Sequence, residues 1–505
     1  MGKASLNAAR SSVEVAKKSG SPLVYGAALH DLGSAYKDNL DYPQAEQALM
    51  QAIAIWEKLR VGLEDKESYR VSLFETQTAT YQNLQKVRIA MGKYPEALEA
   101  VEQGRARAFA ALLSSKLSSD RLQKYTEPSV KVSQLQQIAR EQNLTIVSYS
   151  LITSTSINIS QPLLGMSELY AWVISPDGKI NFRKLDINKW EIENGKSLRE
   201  VIADLQTRLT RSSGTRIPNP LKPIPADELD DSPDELKELY RLLIQPIAEF
   251  LPKNPESQIV FVPHDALFLV PFAALREQSG KYLIEKHTIS YAPSIQVLGF
   301  TEKLRSSPKG LETLLVGNPK NDLADLPNAE NEVKAIAQLF KTKSIIGKDA
   351  TKTAIVAKMP EAQVIHLATH GIFDDQNGLN SAIALAIDGK ESHLLTAANI
   401  LQLHLKAKLV VLSACNTGKG KITGDGVIGL SRAFILAGTP SIIVSLWNVP
   451  DTETGTLMVN FYQNMQNMQI NGDRAQALRQ AMLVTMREYP HPRNWAAFTL
   501  IGARK

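Results

Sequence analysis

From residue 310 onward the chain alternates short, nearly unbroken apolar runs with amphipathic stretches, and this alternation restricts the fold more than any other feature. Residues 314–317, 364–368, 409–414 and 441–447 read as strands; residues 329–340, 397–403, 427–437 and 452–465 read as the helices between them. A strand that is apolar on both faces must be covered on both, so the pattern predicts a mostly parallel sheet between helical layers. Reacting groups in such sheets collect beyond the carboxyl ends of the strands. Two of those ends carry them here, as Thr369-His370-Gly371 and Ser413-Ala414-Cys415-Asn416-Thr417-Gly418.

Cys415 is the sole cysteine among 505 residues. It can form no internal disulfide and no multi-cysteine metal cage, which leaves a buried structural thiol or a nucleophile. Its place at a strand-to-loop boundary, ahead of Asn-Thr-Gly, favours the nucleophile. A free thiol, with a pKa of about 8.5, is only slightly ionised at neutral pH. An imidazole within hydrogen-bond reach takes that proton and later returns it to a leaving amine. His370, 45 residues upstream (415 − 370), is the candidate for that role. Acyl transfer also requires N–H donors aimed at the developing oxyanion, for which the backbone of Gly371 and Cys415 is the natural pair. The glycine-containing stretch 416–420 suits the wall of a peptide cleft. His366, inside its strand, reads as a satisfied core histidine. It is not expected to share a metal with His370, because four strand residues span about 13 Å. Gly195-Lys196-Ser197 imitates the end of a phosphate-binding loop, but Trp190 stands where the first glycine belongs. No metal and no organic cofactor is expected.

The first hundred residues have a different texture. Leu32, Gly33, Tyr36, Ala45, Leu49 and Ala52 fit the offsets of a tetratricopeptide repeat, in which small residues let two antiparallel helices pack closely. A weaker match follows at Leu84, Gln85, Arg88, Ala97, Val101 and Gly104, with Gly92-Lys93-Tyr94-Pro95 as the turn. The repeat alanines are 52 apart (97 − 45), so extra helix or loop is expected around residues 61–72. Residues 6–18 resemble the second helix of a preceding repeat, as though the chain begins within an array. Residues 105–116 read as continuing helix and 118–128 as a polar linker. Residues 145–151 and 169–174 read as strands, the latter turning through Ser175-Pro176-Asp177-Gly178 into residues 179–183. Residues 211–234, with five prolines, read as a surface excursion. A formal charge of +5 with scattered Lys and Arg shows no nucleic-acid footprint. The amino-terminal stretch lacks a secretory pattern, and Leu6 stands where a myristoylation signal wants Ser or Thr. No apolar run is long enough to span a bilayer. With a lone thiol, the expected setting is a reducing cytoplasm.

The runs Val364-Ile365-His366-Leu367-Ala368-Thr369-His370-Gly371 and Leu409-Val410-Val411-Leu412-Ser413-Ala414-Cys415-Asn416-Thr417-Gly418 together resemble the CHAT family, caspase-like domains associated with tetratricopeptide repeats. Supporting segments are Val262-Pro263-His264-Asp265-Ala266-Leu267, Ser445-Leu446-Trp447-Asn448-Val449 and Trp495-Ala496-Ala497-Phe498. The resemblance implies all-α tetratricopeptide-like repeats followed by an α/β caspase-like three-layer fold. The expected division is helical repeats over 1–118, a helical linker over 119–143, a degenerate caspase-like half over 144–305 and a catalytic half over 306–505. It further implies a cysteine endopeptidase with His370 as general base and acid and Cys415 as nucleophile, acting through a thioester. His264, in the degenerate half, is expected to have no catalytic role. Relatives that cut after basic residues place an acid in the pocket for that side chain; Asp451 and Asp425 are the candidates here, with Asp374 and Asp375 behind them. A helix-capping or solvated acid is the plain alternative for each. The repeats would recruit a protein substrate or regulator. The competing reading, from another class, is a signalling scaffold whose caspase-like domain binds partners with little or no proteolysis.

Overall fold

The computed structural model describes residues 2–61, 67–105, 130–153, 167–210, 232–305, 310, 312–374, 377–389, 392–414, 421–423, 426–447, 451–467 and 472–505. The amino-terminal part is helical: α1 (Gly2–Lys18), α2 (Pro22–Asp38), α3 (Tyr42–Val61), α4 (Glu67–Ala90) and α5 (Tyr94–Gln103). Ser21 starts α2 by accepting the Val24 N–H on its hydroxyl, with Pro22 at the first helical position, where a missing N–H costs nothing. The repeat positions are the sites of closest approach. A Cβ on Gly33 would lie 2.6 Å from Leu49, and one on Gly26 would lie 2.6 Å from the Trp56 indole. Ala45, Leu49 and Ala52 are wholly buried against them. The long interval between repeat alanines has a simple cause: α3 and α4 run for 20 and 24 residues.

Sixteen strands are found among the described residues. They are β1 (Thr145–Thr153), β2 (Ser167–Ile174), β3 (Ile180–Leu185), β4 (Gln258–Val262), β5 (Thr288–Tyr291), β6 (Glu312–Pro319), β7 (Ser344–Gly347) and β8 (Ala362–Ala368), then β9 (Gly371–Ile372), β10 (Ala382–Ala384), β11 (Leu394–Thr396), β12 (Leu409–Ser413), β13 (Lys421–Thr423), β14 (Gly426–Ile428), β15 (Ser441–Ser445) and β16 (Phe498–Gly502). Eleven form one sheet in the order β3-β2-β1-β4-β5-β16-β15-β12-β8-β6-β7. The run β15-β12-β8-β6-β7 is parallel, as is β1-β4-β5; the β2–β3 hairpin and the β15–β16 pair are antiparallel. The hairpin turns where the Ser-Pro-Asp-Gly tetrapeptide predicts, with Gly178 at φ +83° and its N–H donated to the Ser175 carbonyl.

Both faces of the sheet are covered, which is why its central strands can be apolar throughout. On one face lie the helices Leu198–Thr210, Glu235–Leu243, Pro327–Phe340, Asp451–Gln466 and Arg474–Glu488. On the other lie Ile355, Ile400 and Phe434 of three short helices, packed on β6, β8, β12 and β15. The stretch 427–437 departs from the single helix expected. Gly426–Ile428 pairs with Lys421–Thr423, and the helix is confined to Leu430–Leu436. β-branched Val427 and Ile428 favour the strand, and Gly429, fully extended, separates the two elements. Helix 397–403 likewise stops early, at Leu401.

The helical part shares a core with the sheet. Ala97, Leu98 and Val101 of α5 share one core with Leu135 and Ile138 of the helix Val132–Gln142 and with Ile146, Trp172 and Val260 of the sheet. Helix α5 ends at Gln103, with Gly104 as its cap, rather than continuing through 105; residues 106–129 lie outside the described ones. Arg105 turns instead into the sheet. Its guanidinium donates to the Ser148 hydroxyl and the Val262 carbonyl, each at 3.2 Å, and to the Tyr149 carbonyl. Glu102, 3.7 Å from Arg105, accepts the Ile295 N–H at 2.8 Å. Burial draws both groups toward their neutral forms, raising the pKa of Glu102 and lowering that of Arg105 to about 10. The pair therefore acts through geometry: removing one partner strands the other in the dry interior. Arg105→Ala is expected to cost about 3–5 kcal/mol of stability in urea denaturation, whereas the paired replacement Glu102→Leu with Arg105→Met recovers most of the loss.

Candidate active site

The geometry starts from strand register. β8 and β12 pair in parallel, with Ala368 opposite Ser413. His370 follows Ala368 by two residues (370 − 368), and Cys415 follows Ser413 by two (415 − 413). Cys415, the stretch 416–420, Asp375 and Asp425 lie outside the described residues. The residue before the cysteine is held from the next strand, where the Ser445 hydroxyl of β15 donates to the Ala414 carbonyl.

His370 is half-buried, and its ring is anchored. Nε2 lies 2.7 Å from the carbonyl oxygen of Ala324. A carbonyl only accepts, so Nε2 carries hydrogen and Nδ1 is the basic nitrogen. Sequence reasoning missed Ala324, because its contribution is a main-chain carbonyl and any residue type supplies one. The loop that presents it is organised by short polar side chains. The Asn318 carboxamide accepts the Leu326 N–H at 2.9 Å, and that of Asn321 accepts the Leu323 N–H at 2.9 Å. The Lys320 ammonium pairs with Asp325 at 2.9 Å. Asn318 adopts φ +44°, a left-handed conformation that asparagine tolerates better than most residues. The backbone around the histidine is clamped from β10: Thr369 donates its hydroxyl to the Ala384 carbonyl at 2.6 Å, and the Ala384 N–H donates to the His370 carbonyl at 2.9 Å. Gly371 opens β9 opposite Ile383.

His366 is fully buried and engaged on both sides, with Nδ1 3.1 Å from the Tyr462 hydroxyl and Nε2 2.8 Å from the Glu332 carboxylate. It is a core histidine, as the sequence predicts, and both ring nitrogens already have neighbours. Asp374 organises a loop: its carboxylate accepts the Asn377 N–H at 2.7 Å and the Asn380 side-chain amide at 3.1 Å. Asp451 opens the helix Asp451–Gln466 just beyond β15, the strand beside β12.

The other half of the sheet repeats the same register with different residues at the strand ends. Phe261 of β4 pairs with Tyr291 of β5, and the Ala292 N–H donates to the Phe261 carbonyl. One step further, Val262 and Ala292 stand level, each followed two residues later by a polar group: His264 (264 − 262) and Ser294 (294 − 292). Ser294 is fully buried and caps a helix, accepting the Val297 N–H at 3.1 Å. The His264 Nδ1 accepts the Leu151 N–H at 3.2 Å. Burial, followed by the Arg105 charge, pushes the His264 imidazole down to about 3. Glu102 and Arg105 fill this cleft edge from the helical side. His264 thus has a helix-capping serine as its level neighbour, and burial favours its neutral imidazole.

His287 is depressed in the same way, to about 4, by burial and then the charges of Lys286 and Arg479. An unfolded imidazole titrates near about 6.5. Between that value and the folded ones the unfolded chain binds more protons, so stability is complete above about pH 6.5 and declines as pH falls toward 4. His264→Asn is expected to flatten this decline, read as the shift in urea midpoint between pH 7 and pH 4.5; an unchanged shift would show that His264 titrates normally when folded.

The CHAT domain matches residues 233–503, more than half of the chain. Tetratricopeptide repeat protein 28 of Homo sapiens is 27% identical over 611 aligned positions, covering 94% of this chain and 24% of its own length. Its Mus musculus counterpart is 26% identical over 598, with the same coverage. The chain therefore spans about a quarter of the length of these relatives. Among solved structures, the Saccharomyces cerevisiae separase–securin complex aligns with a TM-score of 0.46 and 11% identity over 95% of this chain and 44% of that one. The Porphyromonas gingivalis RgpB pro- and mature-domain complex aligns with a TM-score of 0.34 and 12% identity over 62% and 74%. With the CHAT domain matched over residues 233–503, the chain belongs to the CHAT domain family.

Proposed function

We propose that the chain is a cysteine endopeptidase in which Cys415 is the nucleophile and His370 the general base and acid. The observation that carries this reading is the register of β8 and β12. Adjacent strands lie about 4.8 Å apart, and His370 and Cys415 each follow a paired strand-end residue by two positions in sequence. The second support is the Ala324 carbonyl, which leaves Nδ1 as the proton acceptor.

In this mechanism Nδ1 takes the thiol proton and the thiolate adds to the peptide carbonyl carbon. The oxyanion is met by the N–H groups of Gly371 and Cys415. Collapse breaks the C–N bond, and His370 returns the proton to the departing amine, leaving a thioester on Cys415. Water, deprotonated by the same imidazole, then hydrolyses the thioester. Asp451 and Asp425 are proposed as the acids that receive a basic side chain before the cut. The helical region, fused to the sheet through α5, is proposed as the part that engages a protein substrate or regulator. Among the described residues no helix is long and apolar enough to cross a membrane, which fits the proposed cytoplasmic setting.

A peptidyl acyloxymethyl ketone with a basic residue next to the warhead is expected to modify the native chain and not Cys415→Ala. His370→Ala should slow modification by about 10²–10⁴-fold. Modification at the native rate without His370 overturns the dyad. Of Asp451→Asn and Asp425→Asn, the one that abolishes discrimination between basic and neutral probes identifies the acid.

A further inference from the structure

Large apolar side chains exposed singly are ordinary, whereas a cluster of them marks a contact surface. From residue 144 onward, the large apolar side chains exposed among the described residues are Ile192, Leu323, Ile372, Phe373, Leu379, Ile387 and Val484. Five of these seven fall in two segments, 320–326 and 371–387, that meet at His370. Leu323, 41% exposed, precedes the alanine whose carbonyl anchors the His370 ring. Ile372 and Phe373, 36% and 38% exposed, follow His370 after Gly371, and Leu379 sits on the same Asp374-centred loop. The two loops also touch, since the Ile387 N–H donates to the Lys320 carbonyl at 3.1 Å. The described parts of both segments carry their own hydrogen bonds, from Asn321 to the Leu323 N–H and from Asn377 to the Leu379 N–H. β9, which carries Ile372, is moreover the end strand of the β11-β10-β9 sheet among the described residues.

The chemistry assigns an occupant. The imidazole that protonates the departing amine must face the residue bearing that amine, which is the one just after the cut bond. Polypeptide on that side runs past His370 and therefore past these apolar side chains. Resting on the peptidase reading above, we infer that Leu323, Ile372, Phe373 and Leu379 form the subsite for an apolar residue immediately following the cut. The substrates are polypeptides in which a basic residue before the bond is joined to Leu, Ile, Phe or Met after it. The charged side chain is assigned to Asp451 or Asp425, as proposed above, and the apolar one to the residues around His370.

The test uses the full-length chain with Cys415→Ala, probed on an array of synthetic decapeptides of systematically varied sequence. Binding should favour peptides with a basic residue followed by an apolar one. Leu323→Ser combined with Phe373→Ser should weaken those peptides about tenfold relative to peptides with a polar residue in that place, a range set by the loss of an apolar contact in a specificity pocket. Ile192→Ser, on a distant helix, should leave the pattern unchanged. Equal binding of apolar and polar followers, or a pattern untouched by the double change, overturns the subsite. Incubating the captured peptides with the native chain separates this inference from the one beneath it. Selective binding without cleavage defeats the peptidase reading alone, and cleavage with no preference after the bond defeats the subsite alone.

Discussion

The parallel hydrogen-bond ladder joining β6, β8, β12 and β15 is the constraint on which the remainder of this structure rests. Parallel strands cannot be joined by tight turns, so each must be followed by a crossover that covers a face of the sheet. The strands are therefore buried on both sides, and their carboxyl ends line up along one edge. A one-residue slip would turn His366 out of its contacts with Tyr462 and Glu332 and expose Val364, Leu367 or their neighbours to the wrong layer. Register thus holds the core and the position of His370 at once.

The same sheet presents two level strand-end pairs, and the molecule treats them oppositely. At β4 and β5 the edge is closed: Ser294 caps a helix, His264 is kept neutral, and Glu102 and Arg105 fill the space from α5. At β8 and β12 the histidine, half-buried like His264, is held by one carbonyl and lies next in sequence to exposed apolar side chains. Closing one edge lets it serve as the seam between the helical region and the sheet. β5, β16 and β15 are contiguous in the sheet, so the seam and the strands ending at the proposed site belong to one hydrogen-bonded sheet.

Much of this was readable from residue order. Near-continuous apolar runs identified the strands, small residues at helical spacing identified the close-packed helix pairs, and Ser-Pro-Asp-Gly identified the β2–β3 turn. Sequence reading failed where local preference and context disagree. Residues 427–437 look helical by apolar spacing, yet two β-branched residues form a short hairpin before the helix begins. Residue 105 looks like helix continuing, yet the chain turns there because buried carbonyls on β1 and β4 offer a guanidinium better partners than solvent-facing helix would. Asp374 reads as a free acid near the site, and only its loop shows that its oxygens are already in use.

The sequence by itself determined the fold class, the strand on which His370 ends and the residue types available for chemistry, because periodicity and side-chain identity are local properties. Tertiary structure alone decided which strand ends are neighbours, which ring nitrogen of His370 faces a carbonyl and which histidine is held neutral by burial. Those outcomes depend on main-chain carbonyls, strand register and burial, none of which is encoded in the identity of any single residue.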